Sequence, residues 1–210
     1  MINQDIFKLY VICNSSQYEE LRFALVGGAT CVQLREKNLC DDDYIKVAKH
    51  FKELCDKFGV PLVINDNPYV ALKSGASGVH LGQDDMEIKA AKKIIGAKIF
   101  IGATAKTITQ AKKAEQLGAA YLGSGAIFSS STKPNAINIS VKELNNICNN
   151  VSIPVCAIGG ITLKNIKMIN ANIAGVAIAS GILNSSDIEK TTRVMLKNIN
   201  GILEGRENDC

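Results

Sequence analysis

Pro61-Leu62-Val63-Ile64-Asn65-Asp66-Asn67 is the stretch whose reading decides the fold. Four apolar residues, two of them β-branched, end abruptly in three polar ones. That is the pattern of a buried parallel strand carrying a functional tip at its carboxyl end. A second apolar run, Gly78-Val79-His80-Leu81, ends in Gly82-Gln83-Asp84-Asp85. Two neighbouring strands that each deliver a carboxylate to one end of a sheet make a seat for Mg²⁺. That ion takes one or two carboxylates and fills its shell with water and phosphate oxygens. The same acids also read as helix N-caps or as ordinary loop residues.

On either side of this stretch the chain alternates. Strand-like runs fall at 7–12, 31–34, 62–64, 78–81, 98–101, 120–122, 154–158 and 175–179. Helical patterns fill the intervals at 17–26, 41–58, 68–73, 86–95, 107–117, 141–148, 162–169 and 186–198. The helix over 41–58 opens on Asp41-Asp42-Asp43, favourable at a positive amino end, and stops at Gly59-Val60-Pro61. Strict alternation implies a parallel sheet. No shift in composition marks a linker, so residues 1–210 read as one domain. An open doubly wound sheet is the alternative, but no G-x-G-x-x-G follows the first strand. The sequence therefore predicts an α/β fold, a single (β/α)₈ TIM barrel near the lower end of its size range.

Composition narrows the function. The 210 residues are 47% hydrophobic and 21% charged, ordinary for a globular enzyme. The net charge of +4 is spread along the chain, which argues against nucleic acid and suits an anionic small ligand. No apolar run reaches the roughly 18 residues of a membrane span, and the first residues lack a signal-peptide pattern. The seven cysteines form no C-x-x-C pair, and neither of the two histidines is near a cysteine in sequence, so zinc has little support. A cytosolic location is expected.

In such a barrel the chemistry belongs to the strand ends and the loops after them. Gln33-Leu34-Arg35-Glu36-Lys37 follows the second strand. If it stays extended, Gln33, Arg35 and Lys37 share one side, an amide and two cations suited to a diphosphate. Gly102-Ala103-Thr104 offers a small hydroxyl tip that alone reads as a cap or turn. Residues 123–134 hold five hydroxyls, two glycines and Lys133, donors for phosphate oxygens, although no Walker loop is present. Gly159-Gly160 and Ala179-Ser180-Gly181 end the last two strands, where barrels of this kind often bind phosphate. Two phosphate regions and a metal seat imply two phosphorylated ligands. His80, inside a strand run, reads as a packed, hydrogen-bonded histidine.

Together these motifs resemble one family, thiamine-phosphate synthase. Carrying the resemblance, in order, are Gln33 to Lys37, Ile64-Asn65-Asp66, Val79 to Asp85, Ser130-Ser131-Thr132-Lys133, Ala157 to Ile161 and Ala179-Ser180. The resemblance implies condensation of 4-amino-2-methyl-5-hydroxymethylpyrimidine diphosphate with 4-methyl-5-(2-phosphoethyl)thiazole, giving thiamine phosphate and pyrophosphate with Mg²⁺ required. It places Gln33, Leu34, Arg35, Glu36, Lys37, Asn65, Thr104 and Lys133 around the pyrimidine diphosphate, with Arg35, Lys37 and Lys133 in the catalytic role. It gives Asp66 and Asp85 to Mg²⁺. It sets Ser130, Ser131, Thr132, Gly160, Ala179 and Ser180 around the thiazole phosphate. Thr104 stands where the family usually has serine, Ala126 where it has proline, Ser130 where it has threonine, and Ala179 where it has isoleucine. No charged group is lost, so activity is expected. The alternatives are a thiazole tautomerase relative, which needs no metal, another barrel enzyme acting on a sugar phosphate, or a non-catalytic barrel binding a phosphorylated ligand. Turnover of the two substrates separates them.

Overall fold

A computed structural model describes residues 3–129 and 138–207. Eight parallel strands close into a barrel in sequence order, with β8 pairing back onto β1 through Leu9↔Val176. The strands are β1 Leu9–Cys13, β2 Cys31–Leu34, β3 Leu62–Asn65, β4 Gly78–Leu81, β5 Phe100–Thr104, β6 Tyr121–Gly125, β7 Val155–Ile158 and β8 Gly175–Ile178. The helices are α1 Tyr18–Val26, α2 Asp41–Lys57, α3 Pro68–Ser74, α4 Ile88–Ile95, α5 Ile108–Gln116, α6 Val141–Cys148, α7 Ser180–Leu183 and α8 Ile188–Glu207.

Alternation along each strand divides the apolar side chains into two cores. Leu9, Val11, Leu62, Ile64, Val79, Ile101, Leu122 and Val176 point outward and pack under the helices. Phe7, Tyr10, Cys31, Val63, Tyr121, Cys156 and Ala177 fill the barrel itself. Phe7 stacks on Tyr121 with ring centroids 4.3 Å apart. This inner plug fills the barrel below the carboxyl ends of the strands. The helices also fix strand tips: Tyr44 of α2 donates its hydroxyl to the Leu34 carbonyl at 2.7 Å, anchoring the end of β2.

Three features depart from the sequence reading. The helix expected over 162–169 is only a 3-10 turn, Ile166–Met168. Asn165 takes the Thr162 N–H at 2.8 Å and donates to the Gly160 carbonyl at 2.9 Å, local bonds that compete with a helix. The final helix starts later and runs further than expected, and the short α7 precedes it. β6 extends through Gly123-Ser124-Gly125, which looked like the start of a loop.

Those glycines serve the packing inside the barrel. A Cβ on Gly123 would lie 3.1 Å from the His80 ring, and one on Gly102 would lie 2.1 Å from the Tyr121 ring. Glycine here leaves room for large polar side chains to cross the interior. Gly102→Ala is therefore expected to destabilise the protein by roughly 1–3 kcal/mol, the usual range for overpacking. A denaturant midpoint equal to wild type would show that the Tyr121 ring has room to move.

Candidate active site

A cavity of about 460 Å³ opens over the carboxyl ends of the strands. One wall carries Gln33, Arg35, Asn65 and Thr104; the other carries Gly159, Gly160, Ala179, Ser180 and Gly181. Its size suits a small-molecule ligand.

The tip of β3 is built tightly. Asp66 sits at φ 65°, in the left-handed region that few residues other than glycine adopt. Its N–H donates to the His80 carbonyl at 2.8 Å, so the turn is pinned to β4. Asn67 then leaves the site: its side chain accepts from the Val70 N–H at 3.0 Å, capping α3, and donates to Asp41 at 2.8 Å. On the β4 loop, Asp85 Oδ2 accepts from the Gly82 N–H at 2.6 Å, while Asp84 points to solvent. Burial, and then the neighbouring Asp85 carboxyl, push the Asp66 pKa up to about 6. The Asn65 amide and the Lys37 charge pull it the other way. The Asn65 amide nonetheless makes no hydrogen bond of normal geometry through Nδ2, although the residue is only 7% exposed. Two crowded carboxylates beside an unsatisfied amide fit a hard cation and the oxygens it would bring. Among the described residues no group of three or more His, Cys, Asp or Glu is placed so that it could hold a metal ion.

After β2 the chain does not stay extended, and the expected face divides. Gln33 and Arg35 line the cavity, whereas Lys37 stands where the chain bends at 37–39, exposed, within electrostatic reach of Asp66. The Arg35 N–H donates to the Cys13 carbonyl at 2.9 Å, which holds its backbone at the rim. Leu34 turns into the outer core and is fully buried. The Glu36 carboxylate accepts from the Ser15 N–H and ties two loops together. Neither of these side chains lines the cavity.

On the glycine side, the β6 and β7 loops pack backbone to backbone. Phe128 N–H donates to the Gly159 carbonyl at 3.0 Å, and a Cβ on Gly160 would lie 2.5 Å from the Ser129 carbonyl. Gly160 also has φ 62°, so only glycine fits without strain. Ala179 and Ser180 complete this wall at the start of α7. Ser130, Ser131, Thr132 and Lys133, expected to bind phosphate, lie outside the described residues.

Sequence reading missed Tyr10 and Tyr121, which line the cavity floor, and did not foresee that the hydrogen bonds of His80 run to the cavity. His80 lies between two hydroxyls, with Nδ1 2.9 Å from Tyr121 Oη and Nε2 3.0 Å from Thr104 Oγ1. One clue was available: Tyr121, Gly123 and Gly125 alternate on one face of β6, an aromatic followed by two vacated positions. Burial holds the His80 pKa down to about 4, with Asp85 pulling it up. A histidine that stays neutral when folded stabilises fully above its unfolded pKa of about 6.5 and loses that contribution as pH falls towards 4. The ring touches the cavity, where water moderates the effect, so the loss should be on the order of 1–2 kcal/mol. Asp66 acts with opposite sign in part of this window, so a variant comparison is needed. Melting temperature is expected to fall less steeply between pH 6.5 and 4 in His80→Asn than in wild type, and parallel slopes would contradict the burial argument.

A closed parallel barrel with a small-molecule cavity at its strand ends and a carboxylate pair at the rim defines a (β/α)₈ enzyme. The profile of one family, described as thiamine monophosphate synthase, matches residues 9–182. Thiamine-phosphate synthase 2 of Streptococcus pneumoniae is 41% identical over 209 residues, covering 96% of this chain and all of that protein. The thiamine-phosphate synthase of Fusobacterium nucleatum is 44% identical over 200 residues, covering 92% and 97%. The structure of thiamine phosphate pyrophosphorylase from Pyrococcus furiosus superposes with a TM-score of 0.88 at 34% identity, over 95% of this chain and 98% of that one. The chain belongs to the thiamine monophosphate synthase family. It is a transferase that forms thiamine phosphate, and the tautomerase and sugar-phosphate readings fall away.

Proposed function

We propose that the cavity joins the hydroxymethylpyrimidine diphosphate to the phosphoethylthiazole by breaking a C–O bond and forming a C–N bond. The observation that carries the reading is the crowded Asp66–Asp85 pair beside the unpartnered Asn65 amide. Asp66 and Asp85 would hold Mg²⁺, which supplies positive charge to the diphosphate oxygens when bound. Arg35 from the cavity wall and Lys37 from outside it bring two further cations, and Asn65 Nδ2 a directed donor. Lys133 joins them in this proposal, while Ser130 to Thr132, Gly160, Ala179 and Ser180 take the thiazole phosphate.

The electrons then move without a base. As the methylene C–O bond breaks, its electron pair leaves with the diphosphate, whose rising charge is met by Arg35 and Lys37. The electron-rich aminopyrimidine stabilises the positive carbon left behind. The thiazole nitrogen already has a free lone pair and forms the new bond to that carbon. What remains for the protein is alignment of the two rings in a water-poor cavity. Among the described residues no disulfide is formed, which suits a reducing compartment, and we place the reaction in the cytosol.

Incubating the protein with both substrates tests the proposal. Thiamine phosphate and pyrophosphate are expected in equal amounts with Mg²⁺ and not after chelation. Product formation that survives chelation would remove the metal from the reading, and absence of product under both conditions would remove the substrates.

A further inference from the structure

A chain of side-chain hydrogen bonds crosses the floor of the cavity and joins its two ends. Gln33 Nε2 donates to Tyr10 Oη at 2.7 Å, and the Tyr10 and Tyr121 hydroxyls lie 2.9 Å apart. Tyr121 Oη lies 2.9 Å from His80 Nδ1, and His80 Nε2 lies 3.0 Å from Thr104 Oγ1. Five strands contribute one side chain each, and the glycines at 102 and 123 leave the space they cross. Gln33 and Thr104, the two ends, both face the cavity. Burial pushes both phenols well above their usual pKa, so each keeps its single proton.

Such a chain has one direction at a time, because each hydroxyl has one proton to give and a neutral imidazole donates through one nitrogen only. With the Gln33 amide donating, the Tyr10 proton goes to Tyr121 and the Tyr121 proton to His80 Nδ1. His80 then carries its proton on Nε2 and gives it to Thr104 Oγ1. The Thr104 proton is turned away from the ring, towards a ligand. Gln33 Oε1, at the other end, makes no hydrogen bond among the described residues. One end therefore offers a donor and the other an acceptor, and neither can reverse alone.

We infer that Tyr10 and Tyr121 are positioning residues which, through the Nε2–H tautomer of His80, fix Thr104 as a donor and Gln33 as an acceptor. The site then selects a ring with an amino group facing Gln33 and an acceptor nitrogen facing Thr104. This rests on the placement of the aminopyrimidine in the cavity proposed above. An oxo group in place of the amino group meets Gln33 with the wrong polarity. Correcting it requires rotation of the amide and reversal of every link as far as Thr104. Buried groups committed to one polarity reject a mismatched partner strongly.

The chain holds only two histidines, so ¹⁵N-histidine labelling gives a readable spectrum. In the ligand-free wild-type enzyme at neutral pH, His80 is expected as the Nε2–H tautomer. In Tyr121→Phe the tautomer should become mixed, since Nδ1 loses its donor. The preference in kcat/KM for the amino pyrimidine diphosphate over its 4-oxo analogue should fall on the order of tenfold, the worth of one hydrogen bond. An Nδ1–H tautomer in wild type overturns the inference, as does a pure Nε2–H tautomer or an unmoved amino-to-oxo preference in Tyr121→Phe. The spectrum needs no substrate, so it decides the relay even if neither pyrimidine turns over, an outcome that would count against the proposed substrates alone. Should Tyr121→Phe fail to fold, Tyr10→Phe cuts the same chain one link away and is read by the same two measurements.

Discussion

Asp66→Asn is expected to lower turnover about a hundredfold to a thousandfold while raising the stability of the metal-free protein. The two effects have one origin. Asp66 is partly buried against Asp85, and its pKa rises to about 6 because the folded state disfavours a second negative charge there. An acid whose folded pKa is raised costs nothing below its unfolded pKa of about 4, and the cost grows until pH passes the folded value. At pH 7.5 the full penalty is present, on the order of 1 kcal/mol after allowance for solvent screening. Asparagine removes it. The same change removes half of the protein's carboxylate share at the proposed cation seat, so added Mg²⁺ should raise the melting temperature of wild type and not of the variant. Asp85→Asn is expected to act likewise on turnover, with an added loss of the acceptor for the Gly82 N–H. Wild-type Mg²⁺ dependence in both variants would separate these acids from any cation, and a fall in metal-free stability in Asp66→Asn would contradict the crowding of the two charges.

The acid pair was visible in the sequence because it ends two apolar runs, but the choice of Asp85 over Asp84 came from the family likeness. Asp85 is held by the Gly82 N–H, which Asp84 is not. The alternation of eight strand-like and eight helical runs gave the barrel, and within β3 outward Leu62 and Ile64 alternate with inward Val63 and Asn65. Periodicity carries no information about what happens once the strand ends. That is why Lys37 was expected to share the Gln33 and Arg35 face and instead stands where the chain bends. Glu36 was grouped with the binding residues by the family likeness alone, and its carboxylate clamps Ser15. The inner relay was hidden for a different reason. Tyr10 and Tyr121 count as apolar strand residues in any pattern, and their hydroxyls gain meaning only across the barrel, from partners 111 positions apart. The helix expected after β7 failed through Asn165, whose side chain holds the backbone that a helix would need.

Arg35→Met is expected to lower the chemical step by roughly 2.7–4 kcal/mol, or about a hundredfold to a thousandfold, with a smaller effect on affinity for the pyrimidine diphosphate. Arg35 follows directly on β2, and its N–H is held by the Cys13 carbonyl at 2.9 Å, so the guanidinium starts from a fixed point on the cavity wall. Lys37 lacks that anchorage: it is exposed and stands in the bend. Charge on the diphosphate rises as its bond to carbon breaks. A cation already aimed at it therefore gains strength in the transition state, which registers in kcat, whereas uniform binding registers in KM. Arg35→Lys keeps the charge but loses the planar fork, and should recover only part of the rate. Lys37→Met should cost less, near the value of about 1 kcal/mol for an exposed charge. Single-turnover rates at saturating substrate, set beside equilibrium binding of the pyrimidine diphosphate, distinguish the cases. An unchanged single-turnover rate with weaker binding in Arg35→Met would make Arg35 a recruiter of the substrate and leave the departing charge to other groups.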